Sequence, residues 1–365
     1  MKNIFITGAT GFLGWDIVKN LLENQDSKLY LLVRGKSDIK AKERIAKLIN
    51  KTYDKTHRGG ASERIKVVHG DTTKKDMGIK KSTLDKLRKE IDTIYHCAAL
   101  CEFGMPLEPI RKINVLGTKN VLDFAMQCRE SNQFDCFHHI STVAVVGKFG
   151  GIFYEDSLDV GQGFNNTYEE TKFEAEKLIG EYRHKGLSIS IYRPSIVTGD
   201  SKTGEVSNFQ MFYQPLHIFS LGIFDEIPAD RTLGYNLVPV NYVAQAIYLI
   251  SSEKENNNRN YHLTNPNTIA LDFLLEMASS YFGFQKPKLT LQQKFHFENL
   301  KGFRRKVIDP YLPYFNHRTV VFDAENFDTA INGKDFRWPV IDRDLLLRLF
   351  KYCADVKYIR RCKRG

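Results

Sequence analysis

Tyr168 and Lys172 stand four residues apart in Tyr168-Glu169-Glu170-Thr171-Lys172, a run with the composition of a helix start. That spacing puts the phenol and the ammonium on one helix face. A cation beside a phenol favours phenolate and draws tyrosine down from its ordinary pKa of about 10, which makes a usable proton donor. The lysine also suits the hydroxyls of a ribose. Tyr168 is the only tyrosine of the chain with lysine four residues on. Ahead of it runs His138-His139-Ile140-Ser141-Thr142, a strand whose end can converge on the next helix. Thr142, or failing that Ser141, then hydrogen-bonds a substrate oxygen as charge develops there. Read alone, either hydroxyl serves equally as a strand-end cap.

A second constellation lies at the start of the chain, where Ile4-Phe5-Ile6-Thr7 runs straight into Gly8-Ala9-Thr10-Gly11-Phe12-Leu13-Gly14. Gly8 allows a sharp turn out of the strand, Gly11 lets a pyrophosphate approach the main chain, and Gly14 lets the following helix pack close on the sheet. A helix from about Phe12 to Leu22 aims its N-terminal amides at that phosphate. Glycine triplets alone are weak signals; here Leu29-Tyr30-Leu31-Leu32-Val33 follows at βαβ distance and makes a dinucleotide site of it. Arg34 stands where an NAD site carries Asp or Glu. A guanidinium forks two hydrogen bonds to a ribose phosphate that a carboxylate would repel, so NADP is favoured over NAD. Arg44 either closes the same pocket or is a solvated helix-face charge.

The elements that must position these residues alternate along the chain. Strands are expected at Ile65–Val68, Thr93–Cys97, Phe137–Ile140 and Ser188–Tyr192, with helices at Pro109–Arg129 and Tyr168–Arg183 between them. Asp38 to Glu63 reads as a helix with an exposed loop at Lys55–Gly60. Leu237-Val238-Pro239-Val240, the helix Asn241–Ser251 and a strand near Tyr261–Leu263 look like a return to the sheet. The fold expected is α/β: a Rossmann-type doubly wound parallel sheet with a smaller, mostly helical C-terminal substrate-binding domain. Residues 1–200, rejoined by 236–265, form the NADP-binding part; 201–235 and 266–365 form the substrate-binding part. A length of 365 residues with 42% apolar content suits about two domains. Phe209, Met211, Phe212, Tyr213, Phe219 and Phe224 suit either a long apolar substrate or a small helical core.

The formal net charge is +10, with cations gathered at Lys301, Arg304, Arg305 and Lys306 and in the tail at Lys357, Arg360, Arg361, Lys363 and Arg364. A solvated face, an acidic partner or phosphorylated substrate, and anionic lipid all account for such clusters, whereas no nucleic-acid recognition motif accompanies them. Leu345, Leu346, Leu347, Leu349, Phe350, Tyr352 and Val356 beside those cations are suited to resting on a membrane. The six cysteines, Cys97, Cys101, Cys128, Cys136, Cys353 and Cys362, lack framework spacing and any CxxC pair, which fits reduced thiols in a cytoplasmic compartment. His138 and His139 point to opposite faces of a strand and no HExxH occurs, so no metal is expected. No run is apolar for the ~18 residues of a membrane span, and no leader is apparent.

Thr7-Gly8-Ala9-Thr10-Gly11-Phe12-Leu13-Gly14, His69-Gly70-Asp71, His96-Cys97-Ala98-Ala99, Asn114-Val115-Leu116-Gly117-Thr118, Ser141-Thr142, Tyr168 with Lys172, and Tyr192-Arg193-Pro194 occur in one order. In that order they resemble the extended short-chain dehydrogenase/reductases over roughly residues 1–265. Leu32-Val33-Arg34-Gly35, Ala41-Lys42-Glu43-Arg44-Ile45 and Val238-Pro239-Val240-Asn241-Tyr242-Val243-Ala244 carry a narrower resemblance. It is to the male-sterility-type branch of fatty acyl-CoA reductases and the thioester reductase domains of carboxylic acid reductases and nonribosomal peptide synthetases.

The resemblance implies Thr142, Tyr168 and Lys172 as catalytic triad, with Asn114 as a supporting helix residue. It further implies Gly8, Thr10, Gly11, Phe12, Leu13 and Gly14 around the pyrophosphate, Arg34 and Arg44 at the ribose phosphate, Asp71 at the adenine, Ala98 at the cofactor, and Pro194 and Ile196 beside the nicotinamide. Asp71 as a turn cap, Asn114 as a core amide and Pro194 as a strand end are the structural alternatives. Asn241 replaces the aspartate usual in its motif. The implied reaction is NADPH-dependent reduction of an acyl thioester, on coenzyme A or an acidic carrier protein, to aldehyde or alcohol. Its rivals are an NADP-dependent hydroxyl/ketone dehydrogenase of a sterol-, flavonoid- or sugar-nucleotide-like substrate and a non-catalytic NADP sensor.

Overall fold

Seven strands hydrogen-bond into one parallel sheet: β1 (Lys2–Thr7), β2 (Ser27–Val33), β3 (Ile65–His69), β4 (Thr93–His96), β5 (Cys136–Ile140), β6 (Ile189–Pro194) and β7 (Asn260–Leu263). The computed structural model describes residues 1–131, 134–315 and 320–361. The spatial order β7-β6-β5-β4-β1-β2-β3 reverses direction between β1 and β4. Thr7, at the end of β1, is paired with Leu32 on one side and His96 on the other, and the crevice for a ligand opens beyond those ends. Every residue of β5 and β6 is buried, because helices cover both faces of the sheet.

Helix α1 (Phe12–Asn24) buries Gly14, Ile17, Val18, Leu21 and Leu22, the i, i+3, i+4, i+7, i+8 stripe of a one-faced helix. It packs against the helix Val240–Ser251, so that segment returns to the Rossmann core. Helix α2 (Asp38–Thr52) starts at Ser37, whose hydroxyl accepts from the Lys40 amide at 3.3 Å, and buries Ala41, Ile45 and Ile49. Part of Lys55–Gly60, expected as loop, is helical, since a short helix runs from Arg58 to Arg64. Arg64 at its end donates to the carbonyls of Leu22 (2.6 Å) and Ser27 (3.0 Å), which fixes it against the sheet.

Leu237–Pro239 does not rejoin the main sheet as its apolar run suggested. It pairs in parallel with Ile196–Thr198 in a separate two-stranded sheet. The chain leaves β6 at Pro194, a residue with no N–H to continue a ladder, and Ile196 bonds instead to Asn236. Asn241, where the motif carries aspartate, serves both ends of Ser201: its Oδ1 accepts from the Ser201 amide (2.9 Å) and its Nδ2 donates to the hydroxyl (3.0 Å).

A second core gathers Phe212, Tyr213, Phe219 and Phe224 with Leu271, Leu275 and Phe282. Most of the aromatic segment is therefore core. The apolar face of the helix Arg343–Asp355 lies in the same core, with Leu346, Leu349 and Phe350 at 0% exposure. Those three side chains are taken by protein and are not available to a lipid surface, whereas Val356 of the same set is exposed. Phe327, Ala330, Ile331 and Phe336 pack back into the first core, although they lie in the stretch assigned to the substrate part. Arg361 lies over the Tyr281 ring at 3.9 Å, while Lys363, Arg364 and Cys362 are outside the described residues. Among the described residues no helix is long and apolar enough to cross a membrane.

Candidate active site

The glycine turn is shaped by contact. Gly8 has φ +70°, and a Cβ there would sit 2.6 Å from the amide nitrogen of Ala98 at the end of β4. The Gly11 amide donates to the Gly8 carbonyl at 2.8 Å. A Cβ on Gly14 would lie 2.2 Å from that same carbonyl oxygen, so Gly14 is glycine to let α1 sit on the turn itself rather than on the sheet. No side chain caps the N-terminus of α1 and its first turn holds no carboxylate. Open amides, the positive end of the helix and a main chain stripped of side chains fit a pyrophosphate.

At the other end of this cradle the Arg44 guanidinium donates to Thr10 Oγ1 (2.8 Å) and to the Arg34 carbonyl (2.6 Å). Arg44, exposed on α2, thus bridges Thr10 and Arg34. Asp71 is near enough to feel Arg34. Burial raises its carboxyl, but the Thr73 amide and hydroxyl, both at 2.9 Å, with Arg34 and Lys74, bring it below the ordinary value. The carboxylate caps the turn at Thr73 while facing the same basic corner.

A cavity of about 860 Å³ runs from Gly8, Gly11, Phe12, Leu13 and Gly14 past Thr142, Tyr168 and Lys172 to Pro194 and Ile196. The lining thus unites the glycine turn, the three residues expected as catalytic, the last residue of β6 and Ile196 just beyond it. Thr10, Arg34, Arg44, Asp71 and Ala98 lie outside it. Helix α3 (Thr167–His184) presents Tyr168 and Lys172 from its first turns; it starts at Asn166, whose side chain accepts from the Glu169 amide at 3.0 Å. Thr142 follows β5, and its hydroxyl accepts from the Ala144 amide (3.1 Å) as a strand-end cap, while lying close enough to the Tyr168 phenol to ease its ionisation. Ser141 is committed elsewhere: its hydroxyl donates to Glu176, which is held by Arg193 in a buried ion pair at 2.7 Å.

The electrostatics differ from what the Tyr-Lys spacing suggests. Desolvation by the surrounding protein, with Cys101 adding to it, pushes the Tyr168 phenol well above its ordinary value against a smaller downward pull from Thr142. The ammonium is turned to the sheet, donating to the Ile140 carbonyl at 2.9 Å and lying 3.2 Å from His139 Nε2. Burial lowers Lys172 itself to about 8, against the opposing pull of Glu176. Tyr168 is therefore a neutral phenol, not a phenolate.

Cys101, Phe103 and Tyr314 carried no signal of their own in the sequence. Cys101 lies beside the Tyr168 phenol and helps to push its ionisation up. Phe103 stacks on Tyr314 (5.3 Å between centroids, 12°) and lies 6.1 Å from the Tyr168 ring. The Tyr314 hydroxyl donates to Glu169 at 2.6 Å, tying the second core to the start of α3. Asn114, in a π-helical turn at Lys112–Leu116, accepts from the Leu100 amide (2.7 Å) and donates to Leu100 O (3.0 Å) and Thr171 Oγ1 (3.1 Å). It joins the loop after β4 to α3, a positioning role that a π-bulge commonly serves. Among the described residues no His, Cys, Asp or Glu side chains group as metal ligands.

Comparison with known proteins agrees with this geometry. A linear gramicidin synthase of Brevibacillus parabrevis is 26% identical over 97% of this chain, which spans 7% of that protein. A carboxylic acid reductase of Mycobacterium marinum is 27% identical over 73% of this chain, spanning 24% of its length. The chain thus spans well under half of these curated relatives. Among solved structures, the terminal R domain of the myxalamid PKS-NRPS biosynthetic pathway superposes with a TM-score of 0.83 at 28% identity, covering 100% of this chain and 93% of that one. Residues 6–247 match the NAD-binding family described as male sterility protein. The chain belongs to this male sterility protein family, within the extended short-chain dehydrogenase/reductases.

Proposed function

We propose that this protein reduces acyl thioesters with NADPH to an aldehyde or alcohol, releasing a thiol. The observation that carries the reading is one cavity wall shared by the Thr142 and Tyr168 hydroxyls, Lys172 and the glycine turn. When bound, the nicotinamide supplies the hydride. Thr142 and Tyr168 direct their hydroxyls at the thioester carbonyl oxygen. A phenol held above its ordinary value keeps its proton until that oxygen turns anionic, and then yields it. The carbonyl carbon gains hydride and the oxygen gains the tyrosine proton, giving a hemithioacetal. Its collapse breaks the C–S bond; the hydroxyl proton leaves with the thiol, and Tyr168 recovers its own from water.

The preference for NADPH rests on the corner formed by Thr10, Arg34 and Arg44, two guanidiniums for one dianion. The thioester class rests on relatives named as a carboxylic acid reductase, a linear gramicidin synthase and a terminal R domain. The same relatives favour an acyl group carried on a protein over one on coenzyme A. Lys301, Arg304 and Lys306 stand exposed around the helix Gly302–Ile308, just ahead of Tyr311 and Tyr314, and suit an acidic carrier.

NADPH oxidation measured against acyl-carrier thioesters, acyl-CoAs and simple ketones tests the reading, with Tyr168→Phe as control. Thioester-dependent turnover with release of free thiol, lost in Tyr168→Phe while NADPH still binds, is the expected result. Turnover on ketones alone would replace it with the hydroxyl/ketone dehydrogenase, and NADPH binding without any turnover with the sensor.

A further inference from the structure

His139, on β5, is fully buried and lies with its Nε2 3.2 Å from the Lys172 ammonium. An ammonium only donates, so Nε2 accepts and the imidazole proton sits on Nδ1. That Nδ1 is buried and has no hydrogen-bond partner. The neighbouring ring shows how unusual this is. His96, paired with His139 across β4 and β5, has its centroid 5.4 Å away and is satisfied on both sides. Thr118 gives its hydroxyl proton to the Asn114 carbonyl (2.6 Å), so it accepts from His96 Nε2 at 2.9 Å. Thr7 then donates to His96 Nδ1 at 2.7 Å. The two rings carry their protons on opposite nitrogens, and of the two only His139 is left with an N–H that the protein does not use.

We infer that His139 is a positioning residue for Lys172: its neutral ring orients the ammonium through Nε2 and anchors one ordered water through Nδ1–H. Of the three ammonium protons, one goes to Ile140 O and one to His139. The third is thereby set towards the cavity that Lys172 lines, where a cofactor ribose would meet it. A water suits the orphan because buried polar groups left by the fold are satisfied this way. Burial, then Lys172, His96 and Arg183, hold His139 neutral far below its ordinary value. The groups facing Lys172 are Glu176 on its own helix, His96 from β4, Cys97 and Cys101 from the segment after it, and His139 with the Ile140 carbonyl from β5. Removing the His139 acceptor withdraws support from the charged amine, so Lys172 titrates at lower pH.

The inference rests on Lys172 being the lysine of the reductase site, and the test needs no thioester. NADPH affinity is titrated by nicotinamide fluorescence from pH 6.5 to 9.5 for wild type, His139→Gln and His139→Leu, with 2′,5′-ADP as a probe of the adenosine end alone. His139→Leu is expected to bind NADPH about tenfold more weakly, a loss of about 1.4 kcal/mol, with its alkaline fall moved to lower pH. His139→Gln, whose amide oxygen can accept, is expected to recover most of the affinity, and 2′,5′-ADP to bind all three alike. Wild-type affinity and pH dependence in His139→Leu would overturn the inference, as would equal losses in both variants with 2′,5′-ADP binding intact. Should His139→Leu also lose 2′,5′-ADP, His139→Gln decides: near-wild-type NADPH binding supports the inference and its loss overturns it. A protein that passes this test yet reduces no thioester would refute the proposed reaction and leave the role of His139 standing.

Discussion

Lys172→Met is expected to make the protein more stable while abolishing its activity. Burial holds the ammonium near 8 against an ordinary 10.5. At about 1.4 kcal/mol per pH unit, that gap means that about 3 kcal/mol of folding free energy is given up at neutral pH to keep the charge inside. Methionine fills the volume of the lysine stem without a charge to desolvate. It forfeits the hydrogen bonds to Ile140 O and His139 Nε2, a loss of about 1 kcal/mol each, so the net gain is about 1 kcal/mol at pH 7. The sign of the pH dependence follows. An unfolded chain keeps lysine protonated up to 10.5, while the folded one releases the proton through about 8. Between those values the unfolded state binds more protons, so this group makes wild-type stability rise with pH. The advantage of the variant therefore shrinks across that window. Urea melts of both proteins at pH 7 and pH 10 measure it, and comparing the two at each pH cancels the titration of other groups. A variant less stable than wild type at pH 7, or a difference independent of pH, would refute the reasoning.

The basic corner and the buried ion pair give further expectations. Arg34→Ala and Arg44→Ala are each expected to weaken NADPH binding by about 10- to 100-fold, from about 1.5–3 kcal/mol per charge-assisted hydrogen bond, and to leave NADH binding unchanged; fluorescence titration with both nucleotides reads the split. Glu176→Gln strands Arg193 at 1% exposure and weakens the acceptor of the Ser141 hydroxyl, and is expected to destabilise the fold by about 3–5 kcal/mol in urea melts.

What was legible in the sequence was what local order encodes. β1 and β2 read as near-continuous apolar runs because both faces of the sheet are covered there, and the glycine turn is legible because its spacing answers to contacts within a few residues. Tyr168 and Lys172 share a cavity as their four-residue spacing suggests. Their charge states were not legible, since these depend on desolvation by side chains far along the chain. Arg44 was ambiguous by position, and its contact with Thr10, 34 residues away, was not legible. His138 and His139 point to opposite faces as adjacent strand residues must, yet which face meets the lysine depends on how α3 lies on β5. Tyr314 reaches Glu169 across 145 residues, and no periodicity records such a contact. The short strands of two and three residues, and the return of Phe327 to Phe336 to the first core, were hidden for the same reason.

One cause lies behind both altered groups of the site. Desolvation disfavours charge of either sign, so it raises the phenol of Tyr168 and lowers the amine of Lys172 together. For the reductive direction this is the useful combination. A phenol that is reluctant to ionise retains its proton until the carbonyl oxygen becomes the stronger base. The same low-dielectric surroundings make each donor worth more to the developing oxyanion than it would be in water. Those surroundings are not supplied by the Rossmann sheet alone. Phe103, Met211, Tyr314 and Phe322 wall the cavity, and three of the four come from segments beyond β6. In the proposed reaction, the segments that wall the cavity around the acyl group also set the protonation states on which the chemistry depends. An enlarged or wetter substrate chamber would let Tyr168 ionise more readily and Lys172 hold its charge more firmly, coupling substrate fit to proton transfer through solvent access rather than through any direct contact.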